Sequence, residues 1–246
     1  MIKPNVCVLK TDGTNCDEET SYAFSKAGGE CRIVHLNQLR SGNDRLSNYQ
    51  ILAIPGGFSY GDDIVSGKVL AIELISFFKD QLQEFVAAGK LIIGICNGFQ
   101  ILARSGLLPF RDIGNMQVTL AHNSSGHFEC RWVELWVRDN PCVFTKGIGY
   151  AVMQIAHGEG RFYAEKDVLA QIECQNLVAM RYSEHNPNGS LHDIAGICDP
   201  TGRIFGLMPH PERIVELTQY PNWREIRDII EPNEFKIFKN AIGFFK

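Results

Sequence analysis

Short apolar runs separated by polar or glycine-containing segments fill the first hundred residues of the chain. Runs of this length, rich in Val, Ile and Leu, predict strands that are buried on both faces. The predicted strands of this half are residues 5–9, 31–35, 51–54 and 91–93. Apolar positions recur at helical spacing in a segment that ends at residue 27 and again over residues 69–88. This alternation of strands and helices predicts an α/β fold with a mostly parallel sheet.

The second half of the chain has a different pattern. The stretch FECRWVELWV (residues 128–137) alternates between apolar and polar positions, which predicts an antiparallel strand with one face in solvent. Further strands are predicted at residues 117–120, 168–172, 177–182, 194–198 and 204–208, and a closing helix at residues 235–244. We expect a polar loop over residues 37–49 and a polar, glycine-containing turn within residues 155–162. No repeat or linker interrupts the pattern, so residues 1–246 are expected to form one domain.

Composition excludes several classes of protein. Of the 246 residues, 45% are apolar and 21% are charged, and the net charge is −4. This balance gives no reason to expect nucleic acid or a membrane surface as a partner. The chain shows neither a bilayer-length apolar run nor a secretory signal, and its eight cysteines show neither CxxC pairing nor metal-ligand spacing. We therefore expect a cytoplasmic protein with reduced thiols and without a metal ion.

The most informative stretch is KLIIGICNGFQILAR (residues 90–104). A buried strand is followed by a tight turn in which Gly94 and Gly98 stand two residues either side of Cys96, and a helical pattern then resumes. This is the pattern of a nucleophile elbow with cysteine in place of serine. The start of the helix favours the thiolate of Cys96, which is the reactive form. The alternative is a buried cysteine with no chemical role.

Two further segments supply what a cysteine nucleophile needs. His210 and Glu212 lie two residues apart after an apolar strand, so one can act as the base and the other can orient it. An oxyanion hole requires backbone N–H groups, and the N–H groups of Asn97 and of Gly57 in the segment PGG (residues 55–57) are the candidates. Because both loops follow parallel strands, PGGFSYGD (residues 55–62) and Cys96 are expected to face the same cleft.

Together, GICNGFQ, the upstream PGG and the late HPE resemble the class I (triad) glutamine amidotransferases. That class implies a flavodoxin-like α/β fold with a mostly parallel central sheet, flanking helices and a smaller antiparallel sheet. Within the class, the chain is most similar to the glutaminase subunits of phosphoribosylformylglycinamidine synthases. The segments that carry this resemblance are GTNCD (13–17), PGGFSYGD (55–62), AHGEG (156–160), NGS (188–190), DIAG (193–196) and MPHPER (208–213).

The resemblance implies an enzyme that hydrolyses L-glutamine to glutamate and ammonia. Cys96 would attack the side-chain carboxamide and His210 would protonate the leaving ammonia. Gln100 and the turn formed by His157, Gly158 and Glu159 would hold the glutamine. The ammonia would pass to a large synthetase subunit, which converts formylglycinamide ribonucleotide to the amidine in purine biosynthesis and works with a small accessory subunit. ATP and Mg²⁺ would bind to that synthetase subunit, and no cofactor is expected in this chain, which has no Walker-type loop.

Two alternatives stay open at this point. The chain could be a class I glutamine amidotransferase subunit that serves a different acceptor, or a non-catalytic regulatory homologue. Residues 63–66 (DIVS) depart from the family pattern, which leaves partner contacts at that loop undetermined. Residues 216–223 (ELTQYPNW) also differ from the common pattern, and the sequence assigns them no role.

Overall fold

The computed structural model describes residues 3–225 and 231–246. Within them, nine strands form one sheet in the order β2-β1-β3-β4-β11-β10-β9-β6-β7, and β5 and β8 form a second sheet. The strands are β1 Asn5–Lys10, β2 Glu30–His35, β3 Ile51–Ile54, β4 Leu91–Ile95, β5 Val118–Ala121, β6 Glu129–Trp136, β7 Tyr150–His157, β8 Arg161–Ala164, β9 Val178–Tyr182, β10 Ile194–Cys198 and β11 Ile204–Leu207. The α-helices are α1 Asp17–Lys26, α2 Leu36–Arg40, α3 Lys68–Ala87, α4 Asn97–Arg104, α5 Lys166–Cys174 and α6 Lys236–Gly243.

The first half of the large sheet is parallel. Neighbouring strands from β2 through β1, β3 and β4 to β11 all run in the same direction. Every residue of β3, β4 and β11 is buried, as expected for strands covered by helices on both faces. The carboxyl ends of β3, β4 and β11 therefore meet at one edge of the sheet, and the loops that carry the candidate chemistry begin there.

Helix α3 delivers the chain from β3 to β4. Its buried side chains Leu70, Leu74, Phe78, Leu82 and Phe85 recur every three or four residues and form one apolar face. The helix ends just before Gly89, whose φ of 70° lies in the left-handed region that glycine tolerates best. This packing explains the helical pattern predicted for residues 69–88.

The second half of the large sheet is antiparallel. Strand β6 pairs with β7 over eight residues and with β9 on its other side, and β9, β10 and β11 are antiparallel neighbours. Buried and half-buried residues alternate along β7, which lies at the edge of the sheet. The predicted antiparallel pairing of β6 is thus confirmed. The short β5–β8 pair is the smaller antiparallel sheet.

Two local predictions are wrong. Residues 168–172 lie in helix α5, where Leu169 and Ile172 are buried on one face, and not in a strand. The predicted loop at residues 37–49 contains α2 and a short 3₁₀ turn, because Leu36, Leu39 and Leu46 give it an apolar side. The turn predicted within residues 155–162 is present at residues 158–160, between the end of β7 and the start of β8.

The segment that had no predicted role, residues 216–223, packs against the outer part of the antiparallel half. Glu216 pairs with Lys26, and Tyr220 donates its hydroxyl hydrogen to the buried Glu234. Glu234 also accepts a hydrogen bond from the N–H of Val152 at 2.5 Å. It thereby provides a partner for a backbone N–H on the open side of the edge strand β7. Among the helices that the structure describes, none is both long enough and apolar enough to cross a bilayer.

Candidate active site

Cys96 stands at the junction of β4 and α4 in a strained backbone conformation. Its φ of 52° and ψ of −105° are unusual for a residue with a side chain. A Cβ at Gly98 would lie 1.9 Å from Ile54 O, and one at Gly94 would lie 2.5 Å from Gly98 O, so both positions require glycine. The Cys96 thiol is nearly buried and points at Ala156 O, 3.7 Å from Sγ. The local geometry is that of the predicted elbow.

His210 and Glu212 form a tight buried pair at the end of β11. His210 Nδ1 lies 2.6 Å from Glu212 Oε1, and both side chains are almost fully buried. The backbone N–H of His210 donates to Gln154 O at 2.9 Å, which fixes the segment against β7. Burial alone would lower the pKa of His210, but the Glu212 carboxylate and the Cys96 thiol outweigh it and hold that pKa well above its usual value. The arrangement favours the imidazolium form of His210.

Gly56 and Gly57 bring the loop after β3 into contact with this pair. A Cβ on Gly56 would lie 2.8 Å from His210 Cε1, 3.2 Å from Cys16 Sγ and 3.5 Å from Cys96 Cβ. Gly57 has a φ of 142°, and a Cβ there would lie 2.8 Å from Asn15 N. The two glycines therefore allow the backbone to approach the nucleophile and the base at the same time.

The segment GTNCD (residues 13–17) holds that loop in place. Phe58 N–H donates to Gly13 O at 2.9 Å, and Cys16 N–H donates to Gly56 O at 3.2 Å. The side chain of Cys16 points towards the His210–Glu212 pair. Its Sγ, a ring nitrogen of His210 and an oxygen of Glu212 lie within 4.8 Å of one another. Among the described residues this is the one group of His, Cys, Asp and Glu side chains close enough to hold a metal ion.

Asn97 joins the elbow to the loop PGGFSYGD. Its Oδ1 accepts from Ser59 Oγ at 2.7 Å, and its Nδ2 donates to Gln100 Oε1 at 2.8 Å and to Asp62 Oδ1 at 3.3 Å. Gln100 in turn donates through Nε2 to Glu159 O at 2.6 Å. Because the amide of Gln100 is already used at both ends, its side chain spans the elbow and the turn at residues 157–159.

The side chain of Asn123 holds the turn at residues 157–159 in place. Its Oδ1 accepts from Gly160 N–H and lies 3.1 Å from His157 Nδ1, and its Nδ2 donates to His157 O and His127 O, each at 2.8 Å. Since an oxygen that faces Nδ1 can only accept, His157 carries its proton on Nδ1. Burial and the nearby His210 lower the pKa of His157 to about 4, so the ring is neutral.

Charged side chains surround Glu159 in the turn of residues 157–159. Glu159 lies 3.7 Å from Arg104 and 3.9 Å from His122, and its Oε2 is buried without a hydrogen-bond partner in the described structure. Burial raises the pKa of Asp62, and the negative charge of Glu159 adds to that effect. Two half-buried carboxylates, those of Asp62 and Glu159, beside one guanidinium give this part of the site an excess of negative charge.

The structure brings several of the predicted site residues together. Cys96, His210, Glu212, Gly56 and Gly57 meet at the carboxyl ends of β3, β4 and β11, as the topology required. The nine predicted site residues are Cys96, His210, Glu212, Gly57, Asn97, Gln100, His157, Gly158 and Glu159, and their assigned roles stay predictions. Sequence reasoning missed Asn123 and Arg104 and gave no role to Cys16, although GTNCD had stood out as a motif.

Comparison with known proteins agrees with this geometry. A cysteine elbow beside a His–Glu pair, at one edge of a sheet whose first half is parallel, is typical of a class I glutamine amidotransferase. The sequence profile of the CobB/CobQ-like glutamine amidotransferase domain matches residues 3–245, and the chain belongs to this family.

Its similarity to named proteins is more specific. A Methanococcus maripaludis protein named phosphoribosylformylglycinamidine synthase subunit PurQ is 43% identical to all of this chain over 99% of its own length. A protein of the same name from Dehalococcoides mccartyi is 45% identical, with 98% of each chain covered. Among solved structures, PurLQS from Thermotoga maritima matches with a TM-score of 0.79 and 36% identity, with both chains fully covered.

Proposed function

We propose that this chain is the glutaminase subunit of a phosphoribosylformylglycinamidine synthase and releases ammonia from L-glutamine. Full-length similarity to proteins with that subunit name supports the assignment. The observation that carries the chemistry is the buried His210–Glu212 pair, 2.6 Å apart, which packs with Cys96 against the same glycine, Gly56. A regulatory homologue without catalysis would not need this pair to be preserved beside a strained cysteine.

In the proposed reaction, Cys96 attacks the carboxamide carbon of glutamine as a thiolate. The start of α4 and the imidazolium of His210 stabilise the thiolate. The oxygen that gains charge during the attack would bind the N–H groups of Asn97 and Gly57. Asn97 is the first residue of α4, so its N–H has no partner within the helix and is available to a ligand.

His210 completes the proton transfers. It gives its proton to the departing ammonia, which leaves a glutamyl thioester on Cys96. It then takes a proton from water, and the resulting hydroxide cleaves the thioester to glutamate and regenerates the thiol. Throughout, Glu212 would keep the Nδ1 side of the ring occupied, so that Nε2 is the atom that exchanges protons with Cys96 and water.

The amino-acid part of glutamine would lie over the turn of residues 157–159. Glu159 Oε2 makes no hydrogen bond and lies 3.7 Å from Arg104 Nη2, and this carboxylate would accept the α-ammonium group. We assign Gln100 and Asn123 to positioning, because their amide groups already bond to Asn97 and to the turn. Neutral His157 would give the turn a rigid wall, since its ring lies directly against Gly160.

The ammonia would be consumed by other subunits of the same synthase. We propose a large synthetase subunit that binds ATP and Mg²⁺ and aminates formylglycinamide ribonucleotide, together with a small accessory subunit. In this scheme the chain acts as one cytoplasmic domain, residues 1–246, with no cofactor of its own and no nucleic acid or membrane partner.

The test compares two nitrogen donors in the assembled synthase. Cys96→Ala should abolish synthesis of the amidine from glutamine and leave synthesis from ammonium salts intact, because the synthetase subunit does not need the thiol. Cys142→Ala, which removes a buried cysteine outside the site, should keep both activities. Equal loss of both activities in Cys96→Ala would contradict the proposal.

A further inference from the structure

Cys16 belongs to the site, but the proposed reaction does not use it. Its side chain is buried, and Arg213 Nη2 donates to its Sγ at 3.4 Å. The thiol lies within 4.8 Å of both a ring nitrogen of His210 and an oxygen of Glu212. A second thiol that lies beside the base and its orienting carboxylate has no role in glutamine hydrolysis as derived above.

One atom of the same cluster has bonding capacity that the reaction does not use. Glu212 Oε2 is fully buried and has no hydrogen-bond partner in the described structure, whereas the equally unpartnered His210 Nε2 is the atom that exchanges protons in the proposed reaction. Buried polar atoms without a partner are uncommon and usually indicate a missing ligand, water or ion. Thiolate, imidazole and carboxylate are the donors that Zn²⁺ prefers, and three protein ligands with one open position is a common zinc arrangement.

We propose that Cys16, His210 and Glu212 form a binding site for a thiophilic divalent cation of the Zn²⁺ class, which inhibits the glutaminase reversibly. The ion would bind Cys16 Sγ, His210 Nδ1 and one oxygen of Glu212. The thiol proton and the proton shared by His210 and Glu212 would pass to solvent, so two protons are released for each ion bound. The inhibitory consequence rests on the proposed function, whereas binding of the ion does not.

Geometry and charge are compatible with such an ion. Ligand atoms around a tetrahedral Zn²⁺ lie roughly 3–4 Å apart, because each bond is about 2.0–2.3 Å long. The three side chains need only a small adjustment from separations of 4.8 Å or less. The thiolate and the carboxylate together match the charge of the ion, while Glu19 balances Arg213 at 3.2 Å. Sequence inspection predicted no metal because Cys16 lies almost a whole chain length from His210 and Glu212.

Inhibition follows from which groups the ion occupies. The metal–ligand bonds replace the hydrogen bond between His210 and Glu212. Glu212 then no longer orients the imidazole, and His210 cannot exchange protons with Cys96. The nucleophile itself stays free, which distinguishes this site from direct capture of Cys96 by the metal.

Titration of the full chain with Co²⁺, whose thiolate complexes absorb in the near ultraviolet, tests the site directly. The wild-type chain and Cys96→Ser should both show the thiolate-to-cobalt band, and Cys16→Ser should lose it. Cys142→Ser, the matched control at a buried cysteine elsewhere, should keep it. Absence of the band in the wild-type chain would overturn the proposal, as would its loss in Cys96→Ser with retention in Cys16→Ser.

A second measurement examines inhibition of the assembled synthase. We expect the Zn²⁺ concentration for half-inhibition of glutamine hydrolysis to rise by about tenfold or more in Cys16→Ser, since a ligand is lost. If Zn²⁺ inhibited the wild-type synthase and the Cys16→Ser synthase at the same concentration, the inhibitory role would be contradicted. A chain that binds Co²⁺ through Cys16 but hydrolyses no glutamine would remove the proposed function and keep the metal site, so the two claims fail separately.

Discussion

The glycine at position 56 allows a sharp test of the site's packing. Gly56→Ala adds one methyl group whose carbon would lie 2.8 Å from His210 Cε1, closer than real Cβ atoms approach a neighbour. A shift of roughly 0.6 Å would restore ordinary van der Waals contact. The backbone of Gly56 is not in the left-handed region, so alanine meets no conformational strain there. The change is therefore confined to the imidazole and the two thiols around it.

Displacement of the ring should affect catalysis far more than folding. Overpacking of this kind costs about 1–3 kcal/mol of stability, whereas misplacement of a catalytic group by up to 1 Å lowers the rate by about 10- to 100-fold. We expect that loss in kcat for glutamine-dependent synthesis, with ammonia-dependent synthesis unchanged. Gly149→Ala is the matched control, because nothing lies within 4 Å of its added Cβ. Wild-type kcat in Gly56→Ala would refute the packing described here.

Three further predictions concern stability. Asn123→Ala removes four side-chain hydrogen-bond contacts, three of them buried, and should lower the free energy of unfolding by about 2–4 kcal/mol in urea titrations, whereas Asn115→Ala at an exposed site should change it little. The pKa of His157 falls from 6.5 to about 4 on folding, so stability should decrease as pH drops through this range, by up to about 3 kcal/mol, and His157→Gln should remove that dependence. Burial raises the pKa of Glu234, so its ionisation should weaken the fold as pH rises above about 4.5; a wild-type stability that did not fall relative to Glu234→Gln between pH 5 and 8 would contradict this.

What the sequence could predict was governed by short-range sterics. Gly98 must be glycine because Ile54 O lies where its Cβ would be, and a requirement of this kind is visible in the pattern around Cys96. The apolar run of β4 is likewise visible in the sequence, because a strand that is buried on both faces contains no polar residue. The topology then placed the loops after β3, β4 and β11 at one edge of the sheet, since parallel strands share their carboxyl end.

What the sequence could not predict depends on tertiary contacts. Residues 168–172 form part of α5 because Leu169 and Ile172 pack together on one helix face, which a five-residue window cannot distinguish from a strand. Asn123 supports a turn more than 30 residues away, and no local pattern indicates that. Cys16 reaches His210 only because its loop is bonded to Gly56 and Phe58.

The most direct test of the central claim is mass spectrometry of the chain after treatment with a diazo-ketone analogue of glutamine, alone and with its synthetase partner. The account predicts a single adduct on Cys96 that excess glutamine prevents and that Cys96→Ser lacks. An adduct on another residue, or no adduct even in the assembled synthase, would contradict the assignment of Cys96 as the nucleophile of a glutaminase.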